Sequence, residues 1–378
     1  MIEYFLCMSK QISYSTKTHQ GEKATMKIRN LILVLSALAL PLQAAEVGVS
    51  HLSLPVTVTN GKTQLVGVFL ARPVLQKGKV ASDVTTNNQT TNNTTIFTAA
   101  TAVFPTNVAT ETSWTGVGTA GSELAPRSDE HYVIEFTSGP KTGLIKQVSR
   151  FPTTSTAEVQ GKLSDIIAGT TFVLRKDHTL ASLFGDGTNG SPIQITDGPD
   201  PSDADVVSLY FTSGATGVWK QFIYVTNIGW RMVGDLGAGG LDRSNVRVSL
   251  GTGFAFNSLL GGTIYLNGEY RGSRSRITIE NSKGSVVANP YPVAVKLKDT
   301  GLADYLLYKT ASILNADKLY FLENGNFATY FNNGSTGFKK DSNSSYDANE
   351  KLLGVGEAFL LKPRTQIDVA FAPQYINP

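Results

Sequence analysis

Apolar and polar residues alternate along much of this chain with a period of two, the spacing of strands rather than helices. Tyr132-Val-Ile-Glu-Phe136 and Arg276-Ile-Thr-Ile-Glu280 each read as a half-buried strand. Val56-Thr-Val-Thr59 and Lys62-Thr-Gln-Leu-Val66 flank Asn60-Gly61, a two-residue turn whose positive φ angles suit the twist of a hairpin. Asn324-Gly325 sits in the same way between Leu319-Tyr-Phe-Leu322 and Phe327-Ala-Thr-Tyr-Phe331, and Asn267-Gly268 follows Thr263-Ile-Tyr-Leu266. Helical patterns are confined to two short stretches, 162–168 and 302–309. The expectation is an all-β protein of antiparallel, sandwich-like domains.

The tract 85–95 (TTNNQTTNNTT) is too poor in apolar atoms to bury itself and predicts a mobile loop between two strands. The apolar run 31–40 (LILVLSALAL) is too short to span a bilayer. Lys27 and Arg29 precede it, Pro41 ends it, and Ala44-Ala45 offers small residues for a cut before Glu46. Residues 26–45 thus read as a secretion signal beginning at Met26, and residues 1–25 as an upstream extension. The one cysteine, Cys7, lies in that extension, so the exported chain has no disulfide and no cysteine metal site. Of 33 Lys/Arg and 30 Asp/Glu, five and two precede Glu46, which leaves 28 of each sign. A chain without net charge gives no electrostatic case for nucleic acid or anionic lipid. The expected destination is the periplasm, the cell surface or the medium, with no membrane span after cleavage.

The exported part divides in sequence into an N-terminal β domain, 46–195, and a C-terminal β domain, 196–378. The second carries an internal repeat, over about 203–299 and 300–378. Ala204-Asp205 before Leu209-Tyr210-Phe211 matches Ala316-Asp317 before Leu319-Tyr320-Phe321, and Gly229-Trp230-Arg231 matches Gly337-Phe338-Lys339. Gly251-Thr-Gly-Phe-Ala-Phe256 matches Gly356-Glu-Ala-Phe-Leu-Leu361, and Thr263-Ile-Tyr-Leu266 matches Gln366-Ile-Asp-Val369. The offset falls steadily from 112 through 108 and 105 to 103, as loop deletions in the second unit would leave it.

Candidate chemistry is sparse. Asp197, Asp200, Asp203 and Asp205 crowd a Gly/Pro-rich loop, an oxygen-rich set that could hold Ca²⁺, though not with the spacing of an EF-hand; the alternative is a solvated linker. Trp114, Trp219, Trp230, Tyr270 and Phe338 are candidate aromatic platforms for a sugar ligand, and Trp230 and Phe338 read more simply as core plugs at matching places. His51, His131 and His178 are isolated, with no zinc pairing; His178 beside Asp177 is the one candidate partner for a serine nucleophile. Gly334-Ser-Thr-Gly337 has the wrong spacing for a nucleophile elbow, and Asn60-Gly-Lys-Thr63 lacks the first glycine of a phosphate loop. No catalytic residue is assigned. An outer-membrane barrel would need longer and more regular strands than these.

Four stretches carry a resemblance: Tyr132-Val-Ile-Glu-Phe-Thr-Ser-Gly139, Arg175-Lys-Asp-His-Thr-Leu-Ala-Ser-Leu-Phe184, Asn289-Pro-Tyr-Pro292 with Asp299-Thr-Gly-Leu302, and Gly356-Glu-Ala-Phe359. In these the chain resembles an uncharacterised family of secreted β-rich proteins, paralogous in Verrucomicrobia-like bacteria. The resemblance implies an exported β protein made in several versions and brings no catalytic residue. The resulting expectation is a non-enzymatic cell-surface or extracellular-matrix protein acting through surface contacts, with itself, other surface proteins or glycans as partners. A carbohydrate-binding protein is the alternative, and a secreted hydrolase the second alternative.

Overall fold

A computed structural model describes residues 51–90, 93–105, 131–213, 216–271, 274–279, 283–291 and 293–371. The expected leader, the extension before it and Trp114 lie outside the described residues. The fold is all-β, built from several antiparallel sheets, with only two short α-helices among the described residues, Leu180–Phe184 and Leu302–Tyr305. No helix among the described residues is long and apolar enough to cross a membrane.

Three cores organise the strands. The first lies under a six-stranded sheet in the order Val74–Lys79, Thr171–Lys176, Tyr132–Phe136, Ile145–Thr153, Thr156–Gln160, Thr94–Thr98. Phe97, Phe104, Phe136 and Phe172 meet in it edge-on or stacked. Tyr132–Phe136 is buried on both faces rather than one, because its second face packs Val133 against Ala71 and Leu250 and sets Glu135 among arginines. Of the tract 85–95, the described residues 85–90 and 93–95 take up regular structure that its composition does not predict. Thr85 caps a short 3₁₀ turn, Thr86–Asn88, and Thr94 and Thr95 are buried at the start of a strand. The Thr95 hydroxyl donates to the Gly161 carbonyl and accepts from the Leu163 amide, which satisfies a polar group that composition alone places in water.

The middle sheet runs Gly229–Met232, Thr216–Val225, Val206–Ser213, Gly253–Asn257, Thr63–Gly67. The last runs Asn343–Asp347, Phe338–Lys340, Asn326–Asn332, Lys318–Glu323, Ala358–Lys362, Ser285–Ala288. Apart from the extra edge strand Asn343–Asp347, the two orders correspond strand for strand. Each sheet is closed by a long pair, His51–Val58 with Gly262–Glu269 and Ser275–Ile279 with Ile367–Phe371. Each also has a two-residue pair, His178–Thr179 with Arg247–Val248 and Val295–Lys296 with Leu352–Leu353. The two sheets exchange backbone bonds reciprocally, the Gly67 amide donating to Gly356 and the Ala288 amide to Gly251; within each, Val68 donates to Thr252 and Asn289 to Glu357. Between them Leu65, Ala255, Val286, Ala358 and Leu360 form one small shared core.

The expected boundary near residue 195 meets a different division. The described residues pack as one compact unit, and residues 51–67 pair with the middle sheet, not with the first. The first sheet is thus inserted, in sequence, between strands that belong together.

Local expectations fare unevenly, for identifiable reasons. Asn324-Gly325 makes the expected tight turn, with positive φ at both residues and Glu323 opposite Asn326. Asn60-Gly61 also turns, but its flanking strands enter different sheets, and the Gly61 amide donates to Ser258. Asn267-Gly268 makes no turn and continues the strand Gly262–Glu269; a Cβ on Gly268 would stand 2.5 Å from the Ala71 carbonyl oxygen, so glycine here answers a close backbone approach. Residues 162–168 are not helical. Leu163 and Ile166 both reach the core because Asp165 adopts a positive φ of 62°, and extended backbone thereby imitates a helical spacing.

Candidate functional site

The two Gly-aromatic elements that match in sequence place their aromatics inside. Trp230 and Phe338 are fully buried, and the Trp230 indole donates to the Gly185 carbonyl at 2.9 Å, so both are core plugs. Trp219 is half-buried, edge-on to Tyr210 at 5.1 Å, and packs on the core shared by the middle and last sheets. Tyr270 is half-buried against the middle core. These four aromatics form no common platform.

The aspartates of the 196–205 loop separate by role. Asp205 is buried: Oδ2 accepts the Thr196 amide at 2.9 Å, and Oδ1 accepts the Leu259 amide at 2.6 Å and the Ser258 hydroxyl. It clamps three loop segments at the root of the hairpin. Asp317 does the same in the last sheet, with Oδ2 accepting Leu307 and Tyr308 and Oδ1 accepting Arg364. Asp200 folds back on Ser202, whose hydroxyl and amide hold its carboxyl below the usual carboxylate range. Asp203 is exposed, and Asp197 is exposed at the mouth of a cleft described below. The four are not brought together, and among the described residues no three Asp, Glu, His or Cys side chains converge on a metal position.

His178 is wholly buried, and burial pushes its imidazole below the ordinary value. Its Nε2 bonds the Leu70 carbonyl at 2.8 Å, and Nδ1 lies 3.5 Å from Ser182 Oγ. Asp177 Oδ1 accepts the backbone amides of His178 and Leu250, and its charge acts on the imidazole against the effect of burial. Ser182 is occupied in a capping box with Thr179 at the start of the helix Leu180–Phe184. The geometry is that of a folded corner, and it holds none of the relay that a nucleophilic serine requires.

An open, polar cleft of about 890 Å³ lies at one end of the middle sheet. Three loops build it: 186–193 after the short helix, 226–229 at a hairpin turn, and 242–245 before a short strand. Tyr224 lines it, with its hydroxyl donating to the Asp186 carbonyl at 3.1 Å. Partial burial raises the phenol above its ordinary value, and the charges of Asp186, Asp197 and Asp242 raise it further. Two of these carboxylates are fixed by their own loops: Asp186 accepts from Thr188, which holds its carboxyl below the usual carboxylate range, and Asp242 accepts from the Ser244 amide and hydroxyl. Asn189, Asn227, Asn245 and Thr226 complete a lining rich in paired donors and acceptors, with Ile228 as an exposed apolar edge. Fixed carboxylates and amides beside one aromatic ring can hydrogen-bond vicinal hydroxyls while the ring covers an apolar face.

Of the expected site residues within the described part, Asp197 lines this cleft, and so does Asp186, which stands upstream of the acidic loop in sequence. Tyr224 and Asp242 were hidden by ordinary loop chemistry, although Asp186-x-Thr188 and Asp242-x-Ser244 share one signature, an aspartate turning onto a hydroxyl two residues on. Comparison with protein-family models, curated proteins and solved structures finds no match to this chain.

Proposed function

We propose that this chain is an exported, non-enzymatic cell-surface or extracellular-matrix protein that works through surface contacts, and that its middle and last sheets are two copies of one unit. The observation that carries the reading is the matched pair of buried clamps. Asp205 takes amides at positions 196 and 259, and Asp317 takes amides at 308 and 364, which are the same positions once the sequence offsets of 112 and 105 are applied. A second match is the turn in which Asp242 accepts the Ser244 amide and Asp347 the Asn349 amide. Repetition of a rigid, hydrogen-bonded β unit without disulfides suits a body that presents loops and faces to its surroundings. The first sheet is then an insertion into the first copy.

The test is location. An epitope placed in the exposed turn at Asn324-Gly325 is expected to be labelled on intact cells and removed by protease added outside. Full protection until the cells are lysed, with the tag in the cytosolic fraction, would overturn the reading.

The Tyr224 cleft favours a second reading, binding of a saccharide. Sugar-dependent thermal stabilisation that is lost in Tyr224→Ala and Asp242→Ala would support it. A glycan array on which the wild-type chain binds nothing would count against it.

A further inference from the structure

The cleft beside Tyr224 has no counterpart in the last sheet. Eleven residues, 185–195, separate the helix Leu180–Phe184 from Thr196, whose amide Asp205 clamps. Two, 306–307, separate Leu302–Tyr305 from Tyr308, whose amide Asp317 clamps. The loop 186–193 is therefore an addition to the middle sheet. Tyr224, opposite Trp230 in its strand pair, corresponds to Asn332, opposite Phe338. Asn332 is buried and accepts the Gly334 amide, and a Cβ on Gly334 would stand 3.2 Å from the Lys309 carbonyl oxygen. The last sheet brings chain against chain where the middle sheet keeps an open cleft of about 890 Å³.

The tip of the added loop is polar and exposed from Asp186 to Gly190, yet it is held in one shape. The Asp186 and Gly187 amides donate to the Ser191 carbonyl, and the Ser191 amide donates to Thr188. Tyr224 backs it closely, since a Cβ on Gly187 would lie 2.1 Å from the phenol oxygen. An exposed tip ordered in this way adds nothing to the core, and its order serves the wall of the cleft. The lining carries charge of one sign. Asp186, Asp197 and Asp242 come from three separate segments, and no lysine, arginine or histidine lines the cleft. Asp242 lies 3.9 Å from the buried Arg231 guanidinium, whereas among the described residues neither Asp186 nor Asp197 pairs with a lysine or arginine. The three do not converge on one point, as ligands of a metal ion must. They suit an organic cation that spreads hydroxyls around a single charge. Asn189, Asn227 and Thr226 offer donors and acceptors to such hydroxyls, and the Tyr224 ring offers a face to the cation or to an apolar side.

We infer that this cleft takes an amino sugar with a free amine, its ammonium among Asp186, Asp197 and Asp242 and its ring against Tyr224. The inference rests on the saccharide reading of the cleft and narrows it to a charged class. Open walls admit one or a few units of a longer chain, and exposed carboxylates make the attraction depend on salt.

Titration calorimetry of the full exported chain tests it at mildly acidic pH, where the amine holds its proton and the aspartates do not. Three probes are compared: a glucosamine oligomer, its N-acetylated counterpart and a neutral glucose oligomer. The glucosamine oligomer is expected to bind about tenfold more tightly than either neutral probe, with that margin shrinking as salt rises. Asp197→Asn, at an exposed position that leaves the fold intact, is expected to remove most of the margin, and Tyr224→Ala to weaken all three probes. Asp203→Asn, exposed in the same acidic loop but outside the cleft, is the control and is expected to bind like the wild type. Equal binding of charged and neutral probes would overturn this inference and leave the saccharide reading standing, whereas binding of no probe would overturn both. Oligolysine bound as tightly as the glucosamine oligomer would also overturn it, because an amine alone would then suffice.

Discussion

Asp205 and Asp317 show how much of the design is held by single buried acceptors. Each carboxylate satisfies backbone amides from segments that precede and follow its hairpin, and each is essentially inaccessible to water. Asparagine keeps the shape but replaces one acceptor by a donor facing an amide, which leaves that amide unsatisfied. Asp205→Asn and Asp317→Asn are each expected to destabilise the protein by about 2 kcal/mol. Urea unfolding checks this, and similar losses at the two positions are the expected outcome. Glu323 makes a different kind of prediction. Burial pushes its carboxyl up, but hydrogen bonds from Lys340 and Tyr330 and the charge of Lys351 outweigh that and hold it at about 2. Its folded value lies below its unfolded one, so its stabilisation is complete above the unfolded value near 4.5 and is lost as pH falls towards 2. Unfolding measured at pH 6 and pH 3 should differ less in Glu323→Gln than in the wild type.

At the scale of elements, the sequence reveals strands well and their partners poorly. Tyr132–Phe136, Ser275–Ile279 and the turn at Asn324-Gly325 were legible because alternation and turn chemistry are local. The fate of Asn60-Gly61 was not, since which sheet receives Thr63–Gly67 is decided by Gly253–Asn257, nearly two hundred residues away. The cleft escaped for the same reason: Asp186, Tyr224 and Asp242 meet only after a helix, a hairpin and a short strand are in place. Gly268 gives an element-level test. Alanine there would drive a methyl group into the Ala71 carbonyl, on the ladder that joins Glu269 to Ala71. Gly268→Ala is expected to cost about 1–3 kcal/mol, whereas alanine at a true turn glycine of open surroundings, Gly61, meets no neighbouring atom and carries only the strain of its positive φ. Paired thermal melts of the two variants separate overpacking from backbone strain.

For the whole molecule, strand order relates the middle and last sheets beyond the stretches that match in sequence. His51–Val58 and Thr63–Gly67 stand to the middle sheet as Ser275–Ile279 and Ser285–Ala288 stand to the last. An inserted sheet hides this in sequence by separating those strands from their partners. Its attachment is electrostatic as well as apolar: Glu135 lies between Arg175 and Arg271, Arg175 also holds Glu269, and the cluster joins the insertion to the end of the first copy. Four opposed charges out of water hold together only in one geometry, which fixes how the insertion sits.

Native-state hydrogen exchange with mass-spectrometric readout, in mild denaturant, tests this account most directly, because the proposed role rests on the two-copy architecture. Segments 51–72 and 178–270 are predicted to open together, with 74–176 opening at a different free energy. Exchange of 51–72 in step with 74–176, as a contiguous N-terminal domain would give, would contradict the account.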